Sequence, residues 1–218
     1  AQRIYYAGQS FGGIYGTIFL GVEPSLKAGV PNVPGGSITE IARLGAFRPL
    51  TGIALISRLP SLINVSPNPT GIEFNENMPL RNEPPRINTV AGAMAIQQLL
   101  DRNEWVQQSG NPVSYAERIR RNPLPGNAAK PVLIQFAKGD FTVPNPTTSA
   151  ILRAGDLADR AVFFRNDLAV AADPSVPKNP HTFLTNIAAA GTVAYAVGAQ
   201  QQIAVFFATH GTTVIDPD

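Results

Sequence analysis

The sequence has 218 residues, of which 44% are hydrophobic and 15% charged, so it can form one large domain with a buried core. Its 17 basic and 15 acidic residues are scattered and give a net charge of +2, which argues against a nucleic-acid groove or an acidic tail. The absence of cysteine excludes disulfides, thiolate catalysis and cysteine zinc sites, and with only two histidines we expect no metal and no cofactor.

The first predicted elements are a strand and a helix that meet at a serine. Residues 4–7 are a β-branched and aromatic run, typical of a strand. Beyond the serine, apolar residues recur at three- and four-residue spacing and predict a helix, namely Phe11, Ile14, Ile18 and Val22. Between the two lies the Gly-x-Ser-x-Gly pattern Gly8-Gln9-Ser10-Phe11-Gly12. We expect Gly8 and Gly12, which lack a Cβ, to make room for a strained turn that carries the Ser10 hydroxyl, with the Phe11 N–H pointing to where an oxyanion would form.

This stretch resembles the nucleophile elbow of the α/β-hydrolase superfamily, specifically its lipase and esterase branch. The resemblance implies an α/β fold in which Ser10 is the nucleophile. In that fold several strands precede the elbow, whereas here it lies close to residue 1. We therefore expect the C-terminal half of a hydrolase sheet, with the upstream strands absent from this chain and supplied by another chain or by a removed segment.

The middle of the chain differs from its two ends in its many prolines and its short helical patterns. Residues 26–36 predict the next strand of the sheet, running into a Gly/Pro turn. From 37 to 127, prolines interrupt short helical patterns, with one clear helix at 90–106. The resemblance implies that 37–127 is an inserted, mainly helical cap, or lid, whose inner face binds an acyl chain, and that 1–36 and 128–218 form the core. Alternatively, the apolar residues of this insertion pack only on one another.

An aspartate follows the next predicted strand. Residues 130–137 are a compact apolar run of the kind that forms a strand buried on both faces, and Gly139-Asp140 comes directly after it. An aspartate after a glycine is often only a turn former, but ligand sites of open α/β sheets lie at this end of the strands. The resemblance makes Asp140 the acid of a catalytic triad. The other candidate acids are Asp156, Asp159, Asp167 and Asp173, of which Asp167 ranks second because it follows a strand and is nearer to the histidine.

The last third of the chain delivers a histidine from a loop. Residues 146–157 predict a helix and 160–165 a short strand. A loop rich in Asp and Pro then leads to His181, at the predicted entry of a long Ala-rich helix over 182–209. A lone loop histidine is usually a solvated side chain, but the resemblance places the catalytic histidine at this point.

The order of the candidate residues supports the resemblance. Ser10, Asp140 and His181 follow one another in the chain order of α/β-hydrolase triads. The second histidine, His210, precedes Gly211 at the predicted end of the last helix, where an imidazolium suits the helix dipole and glycine suits the cap. We therefore interpret His210 as structural.

The resemblance and the triad together predict a serine hydrolase that cleaves carboxylic esters through an acyl-enzyme, with a hydrophobic ester as substrate. Esterase and lipase remain open. Two alternatives are an amidase or peptidase with the same triad, and a non-catalytic hydrolase-like binding module. The presence of all three chemical groups argues against the second. The lack of cysteine is compatible with a secreted or periplasmic bacterial protein, and the sequence leaves the compartment open.

Overall fold

The computed structural model describes residues 3–65, 71–78, 84, 87–188 and 190–216. The strands are β1 (Ile4–Gln9), β2 (Leu26–Asn32), β3 (Ile134–Ala137) and β4 (Ala161–Phe164). The helices are α1 (Phe11–Val22), α2 (Ile38–Leu44), α3 (Arg48–Ile56), α4 (Ala93–Gln107), α5 (Pro112–Ile119), α6 (Asn145–Gly155), α7 (Asn166–Ala172) and α8 (Ala190–Ala208). The chain therefore has an α/β fold. Among the described residues, no helix has both the length and the apolarity needed to cross a membrane.

The four strands form one parallel sheet in the order β1-β2-β3-β4. Gln9 pairs with Asn32 and Asn32 pairs with Gln135, so the carboxyl ends of β1 and β2 lie side by side next to β3. Because parallel strands end at the same edge of a sheet, the segments that follow β1, β3 and β4 come together there. The strand predicted at 130–137 is shorter than expected, since β3 begins at Ile134 and only an isolated bridge at Val132 precedes it.

Helices cover both faces of the sheet. Successive side chains of a strand point to opposite faces, so consecutive apolar residues pack against helices on opposite sides. Ile134 faces α1 and α6 and packs in a cluster with Leu20 and Ile151. Its neighbour Leu133 faces the other way and packs with Phe206 of α8. The central strands β2 and β3 are thus buried between two layers of helices, and the edge strands β1 and β4 are partly exposed.

Part of the segment predicted as a cap belongs to this core. α5 lies inside the predicted insertion at 37–127, yet its Ala116 and Ile119 are fully buried in the cluster that contains Leu20. These two residues lie three apart, so they share one apolar face that packs on α1 and α6. α3 and α4 contribute instead to a separate hydrophobic cluster made of Leu55, Phe74, Ile96 and Leu100, whereas Ile41 of α2 packs with Ile14 of α1.

The last helix begins later than predicted. Residues 181–185 form tight turns, with the Phe183 N–H bonded to the Pro180 carbonyl and the Thr185 N–H to the Thr182 carbonyl, and α8 begins at Ala190. His181 therefore lies in a turn and not at a helix entry. At the far end Gly211 has a φ of 80° and donates its N–H to the Phe206 carbonyl, which is an ordinary helix stop.

Candidate active site

Ser10 lies in a strained turn between β1 and α1. Its φ of 58° and ψ of −118° fall outside the regions that a residue with a Cβ favours, and such strain costs on the order of 1–3 kcal/mol. Backbone hydrogen bonds hold it on both sides, because its N–H donates to the Asn32 carbonyl at 2.9 Å and its carbonyl accepts from the Ile14 N–H at 2.9 Å. The strand and the helix together force the serine into this conformation.

The glycines around Ser10 differ in how tightly they are packed. A Cβ at Gly8 would lie 2.5 Å from the Gly12 carbonyl oxygen, and one at Gly13 would lie 2.6 Å from the Asn32 carbonyl oxygen. A Cβ at Gly12 would meet only the Tyr6 hydroxyl, at 3.7 Å, which is an ordinary contact. The steric need that the sequence assigns to Gly8 and Gly12 therefore falls on Gly8 and Gly13, since Gly13 is the residue that lies against β2.

His181 links the other two predicted side chains through its ring. Its Nε2 lies 2.7 Å from Ser10 Oγ, and its Nδ1 lies 2.8 Å from Asp140 Oδ2. The three residues are far apart in the chain and come from the segments that follow β1, β3 and β4. The residue is 8% exposed, so the imidazole is largely withdrawn from water.

Asp140 is the most enclosed member of the group, with a side chain only 1% exposed. Its Oδ1 accepts the N–H groups of Thr142 at 2.8 Å and Val143 at 2.9 Å, while its Oδ2 faces His181. The loop after β3 that contains Asp140, called the acid loop below, therefore holds one carboxyl oxygen of Asp140 against Nδ1 of the imidazole.

The second-ranked acid, Asp167, pairs with Lys138 and Arg165, and those bonds hold the pKa of its carboxyl far below the usual range. Asp159 pairs with Arg120 and Arg160. None of the described residues form a group of three or more His, Asp or Glu side chains that could hold a metal ion. Of the candidate acids, Asp140 is thus the one that contacts His181.

Comparisons with known proteins identify no family for this chain. The sequence matches no protein-family model and no curated protein. A crystal structure described as a putative lipase from Acinetobacter baumannii AYE aligns with 96% of this chain at 17% identity and a TM-score of 0.44. The chain spans 62% of the length of that protein.

Phe11 is the first residue of α1, and N–H groups in the first turn of a helix have no acceptor within the helix. The N–H that follows the serine is thus suited to bind a developing anion. The Phe11 ring is 65% exposed and packs on Tyr15 with 4.5 Å between ring centroids. An open aromatic surface therefore borders the serine.

Two amide side chains beside Ser10 and His181 have contacts that the sequence analysis did not predict. Gln9 donates from Nε2 to the His181 carbonyl oxygen at 3.0 Å. The Oδ1 of Asn179 accepts the N–H of Phe141 at 3.1 Å and that of His181 at 3.3 Å. Only the position of Asn179 before Pro180 and His181 could have drawn attention to it, because Asn-Pro commonly starts a turn.

The segment predicted as a cap contacts the loop that carries Asp140 and contains an ion cluster. The Ala46 N–H donates to the Phe141 carbonyl at 2.7 Å, which joins this segment to the residue after Asp140. Within the same segment, Glu76 is 3% exposed and binds Arg48 at 2.6 Å and Arg43 at 3.2 Å. Burial acts to raise the pKa of Glu76, but hydrogen bonds from the two arginines outweigh it and hold the pKa at about 2.

Proposed function

We propose that this protein is a serine hydrolase that cleaves carboxylic esters with Ser10, His181 and Asp140. The observation that carries the proposal is the His181 ring, which lies within hydrogen-bond distance of the serine oxygen on one side and of a buried carboxylate on the other. A serine hydroxyl is a weak nucleophile until a neighbouring base removes its proton, and a neutral imidazole is well suited to that task near pH 7.

In the first half of the reaction, Ser10 Oγ attacks the ester carbonyl carbon while His181 Nε2 takes the hydroxyl proton. The resulting imidazolium then gives that proton to the alcohol oxygen as the carbon–oxygen bond breaks, which leaves an acyl-enzyme. In the second half, water attacks the acyl carbon and passes its proton through the same nitrogen, which frees the acid and restores Ser10. Asp140 holds the proton on Nδ1 and stabilises the charged ring.

The negative charge that develops on the carbonyl oxygen needs hydrogen-bond donors. The Phe11 N–H at the start of α1 is one such donor, and the partial positive charge of a helix N-terminus adds to its effect. Loss of one donor of this kind typically lowers the rate on the order of a hundredfold or more. The proposal includes a second hydrogen-bond donor to the same oxygen, supplied by the further part of the hydrolase described below.

The proposed substrate is a hydrophobic ester. An apolar groove of about 370 Å³ lies between α2, α3 and α4, lined mainly by the aliphatic side chains Leu50, Leu55, Leu99 and Leu100. The exposed rings of Phe11 and Tyr15 add apolar surface next to Ser10. An amidase or peptidase would pass through the same tetrahedral intermediate and is the second candidate.

The proposed partner is a further part of the hydrolase sheet. In the described part of the chain β1 pairs only with β2, so its outer edge offers free backbone groups to another strand. Beside this edge, α1 exposes Phe11, Tyr15 and Phe19. A strand and helix packed here would cover both surfaces.

A fluorophosphonate probe tests the catalytic role of Ser10. We expect the protein to be labelled at Ser10 and the Ser10→Ala variant to be unlabelled, with Ser37→Ala as a labelled control. Labelling that survives Ser10→Ala would show that Ser10 is not the nucleophile.

A series of p-nitrophenyl esters from acetate to palmitate tests the substrate, because hydrolysis limited to short esters would exclude a lipase. Turnover of amide substrates without turnover of esters would favour the second candidate.

A further inference from the structure

We propose that Gln9 and Asn179 are positioning residues that hold the His181 main chain between the other two triad segments. The inference rests on the proposed function. It starts from one backbone unit, because His181 has its N–H bonded to the Asn179 side-chain oxygen and its carbonyl bonded to the Gln9 side-chain nitrogen. Both backbone groups that flank the catalytic ring are therefore tied to amide side chains.

Asn179 joins the histidine turn to the acid loop. Its Oδ1 accepts from the N–H of Phe141, the residue after Asp140, as well as from His181. Its Nδ2 donates to the Thr142 hydroxyl at 3.1 Å. One amide thus bridges the backbones of the two segments that carry the carboxylate and the imidazole. The 2.8 Å bond between Asp140 and His181 joins the same two segments through their side chains.

Gln9 joins the same turn to the nucleophile elbow. It directly precedes Ser10 and donates to the His181 carbonyl, so any movement of the turn away from the elbow must break this bond. Its Oε1 accepts from the Thr185 hydroxyl at 3.2 Å, which fixes the amide in the orientation that points its donor at His181. The amide therefore spans the elbow and the turn.

These bonds matter because the histidine has no secondary structure to hold it. Residues 181–185 are turns, and α8 begins at Ala190. Misplacement of a catalytic group by about 1 Å commonly lowers the rate about a hundredfold. Two bridging amides give a turn the fixed geometry that a helix or strand would otherwise supply.

The test uses three variants and a matched control. Gln9→Met keeps the side-chain length and removes the donor, and Asn179→Ala removes the acceptor. Asn179→Asp keeps an oxygen that can accept the same two N–H groups. The control is Gln200→Met, because Gln200 also donates its amide to a carbonyl of this segment, that of Leu184 at 2.9 Å, without touching His181. The rate of fluorophosphonate labelling of Ser10 is measured well below the melting temperature of each variant.

We expect Gln9→Met and Asn179→Ala to slow labelling at least about tenfold, Asn179→Asp to recover most of the loss, and Gln200→Met to match the wild type. A second readout is independent of activity. With two histidines in the chain, the ring nitrogen NMR spectrum should show the His181 Nδ1–H signal in the wild type and its broadening in Asn179→Ala. Labelling within twofold of wild type together with an unchanged signal would overturn the proposal. If wild-type Ser10 is never labelled, the proposed function fails, while the ring signal still decides whether the amides position His181.

Discussion

Asp140 and His181 are joined by a hydrogen bond that uses one particular oxygen of the Asp140 carboxylate. The Oδ1 of Asp140 is occupied by two backbone N–H groups, so only Oδ2 is left to face the ring, at 2.8 Å from Nδ1. A carboxylate can only accept, so a neutral His181 ring bonded to it carries its proton on Nδ1 and has its unprotonated Nε2 2.7 Å from Ser10 Oγ.

This arrangement predicts the effect of Asp140→Asn. The new amide must keep its oxygen toward the N–H groups of Thr142 and Val143, so its NH2 group would face Nδ1 of His181. The ring would then carry its proton on Nε2 and could not act as a base toward Ser10. We expect kcat to fall roughly a thousandfold or more with little change in melting temperature.

The matched control is Asp167→Asn, which alters an exposed carboxylate that binds Lys138 and Arg165 and does not touch His181. Its kcat should stay within about twofold of the wild type, since exposed ion pairs contribute little. A larger loss of kcat in Asp167→Asn than in Asp140→Asn would show that Asp140 is not the acid of the triad. Ester hydrolysis and fluorophosphonate labelling are both suitable measurements.

The elbow glycines should differ sharply when each is replaced by alanine. In Gly8→Ala the Cβ would lie 2.5 Å from the backbone oxygen of Gly12, which cannot move without shifting α1 and Ser10. In Gly12→Ala the nearest atom is the Tyr6 hydroxyl at 3.7 Å, and alanine suits a helix better than glycine. We expect Gly8→Ala to lose at least about a hundredfold in labelling rate and Gly12→Ala to stay within about threefold. Equal losses in the two variants would contradict this difference.

The strand, the elbow and the following helix are readable from the sequence because their signals are local. A β-branched and aromatic run, a serine between glycines and an apolar stripe all fall within residues 4–22, and β1 and α1 lie there. The contact between Asp140 and His181 also agrees with the sequence, because each follows a recognisable strand or loop. Their roles in catalysis stay predictions that the experiments above address.

Other features could not be read because they depend on distant residues. The amide of Gln9 bonds to a carbonyl 172 positions away, and no local pattern marks that partner. α5 lies in the proline-rich stretch that the sequence predicts to be a cap, and only its packing on α1 and α6 assigns it to the core. The late start of α8 has a similar cause, since the side chains of Phe183 and Leu184 are anchored in a cluster with Val33 and Ala137 at the end of the sheet, and the chain turns to place them there.

The buried carboxylate of Glu76 predicts that the segment around α2 and α3 is destabilised by acid. Because its pKa in the folded protein is about 2 and its ordinary value is 4.5, its contribution is complete above pH 4.5 and is lost as the pH falls toward 2. We expect Glu76→Gln to lower stability by on the order of 2 kcal/mol at pH 7, since Arg48 loses this buried counter-charge and Arg43 is left with Glu40, and by little at pH 2. Chemical denaturation at both pH values, with proteolysis of the segment around α2 and α3 as a local probe, measures this effect. The exposed partner of Arg43 provides a control, Glu40→Gln, which should change stability by less than about 0.5 kcal/mol at pH 7.

Lys130 predicts a substitution that stabilises the protein. The residue is 3% exposed, and its Nζ has no hydrogen-bond partner among the described residues. Burial lowers its pKa, Glu23 opposes that effect and Lys27 adds to it. A lysine with a lowered pKa destabilises the fold while it stays charged, and this penalty fades as the pH rises toward 10.5, the ordinary pKa of lysine.

Lys130→Met keeps the apolar stem without the charge, so we expect a gain in stability of about 1 kcal/mol at pH 7, or about 2–4 °C in melting temperature. The gain should shrink toward pH 10, whereas Lys178→Met, at an exposed position that does not act on Lys130, should show no gain at either pH. A loss of stability in Lys130→Met at pH 7 would mean that the ammonium has a stabilising partner.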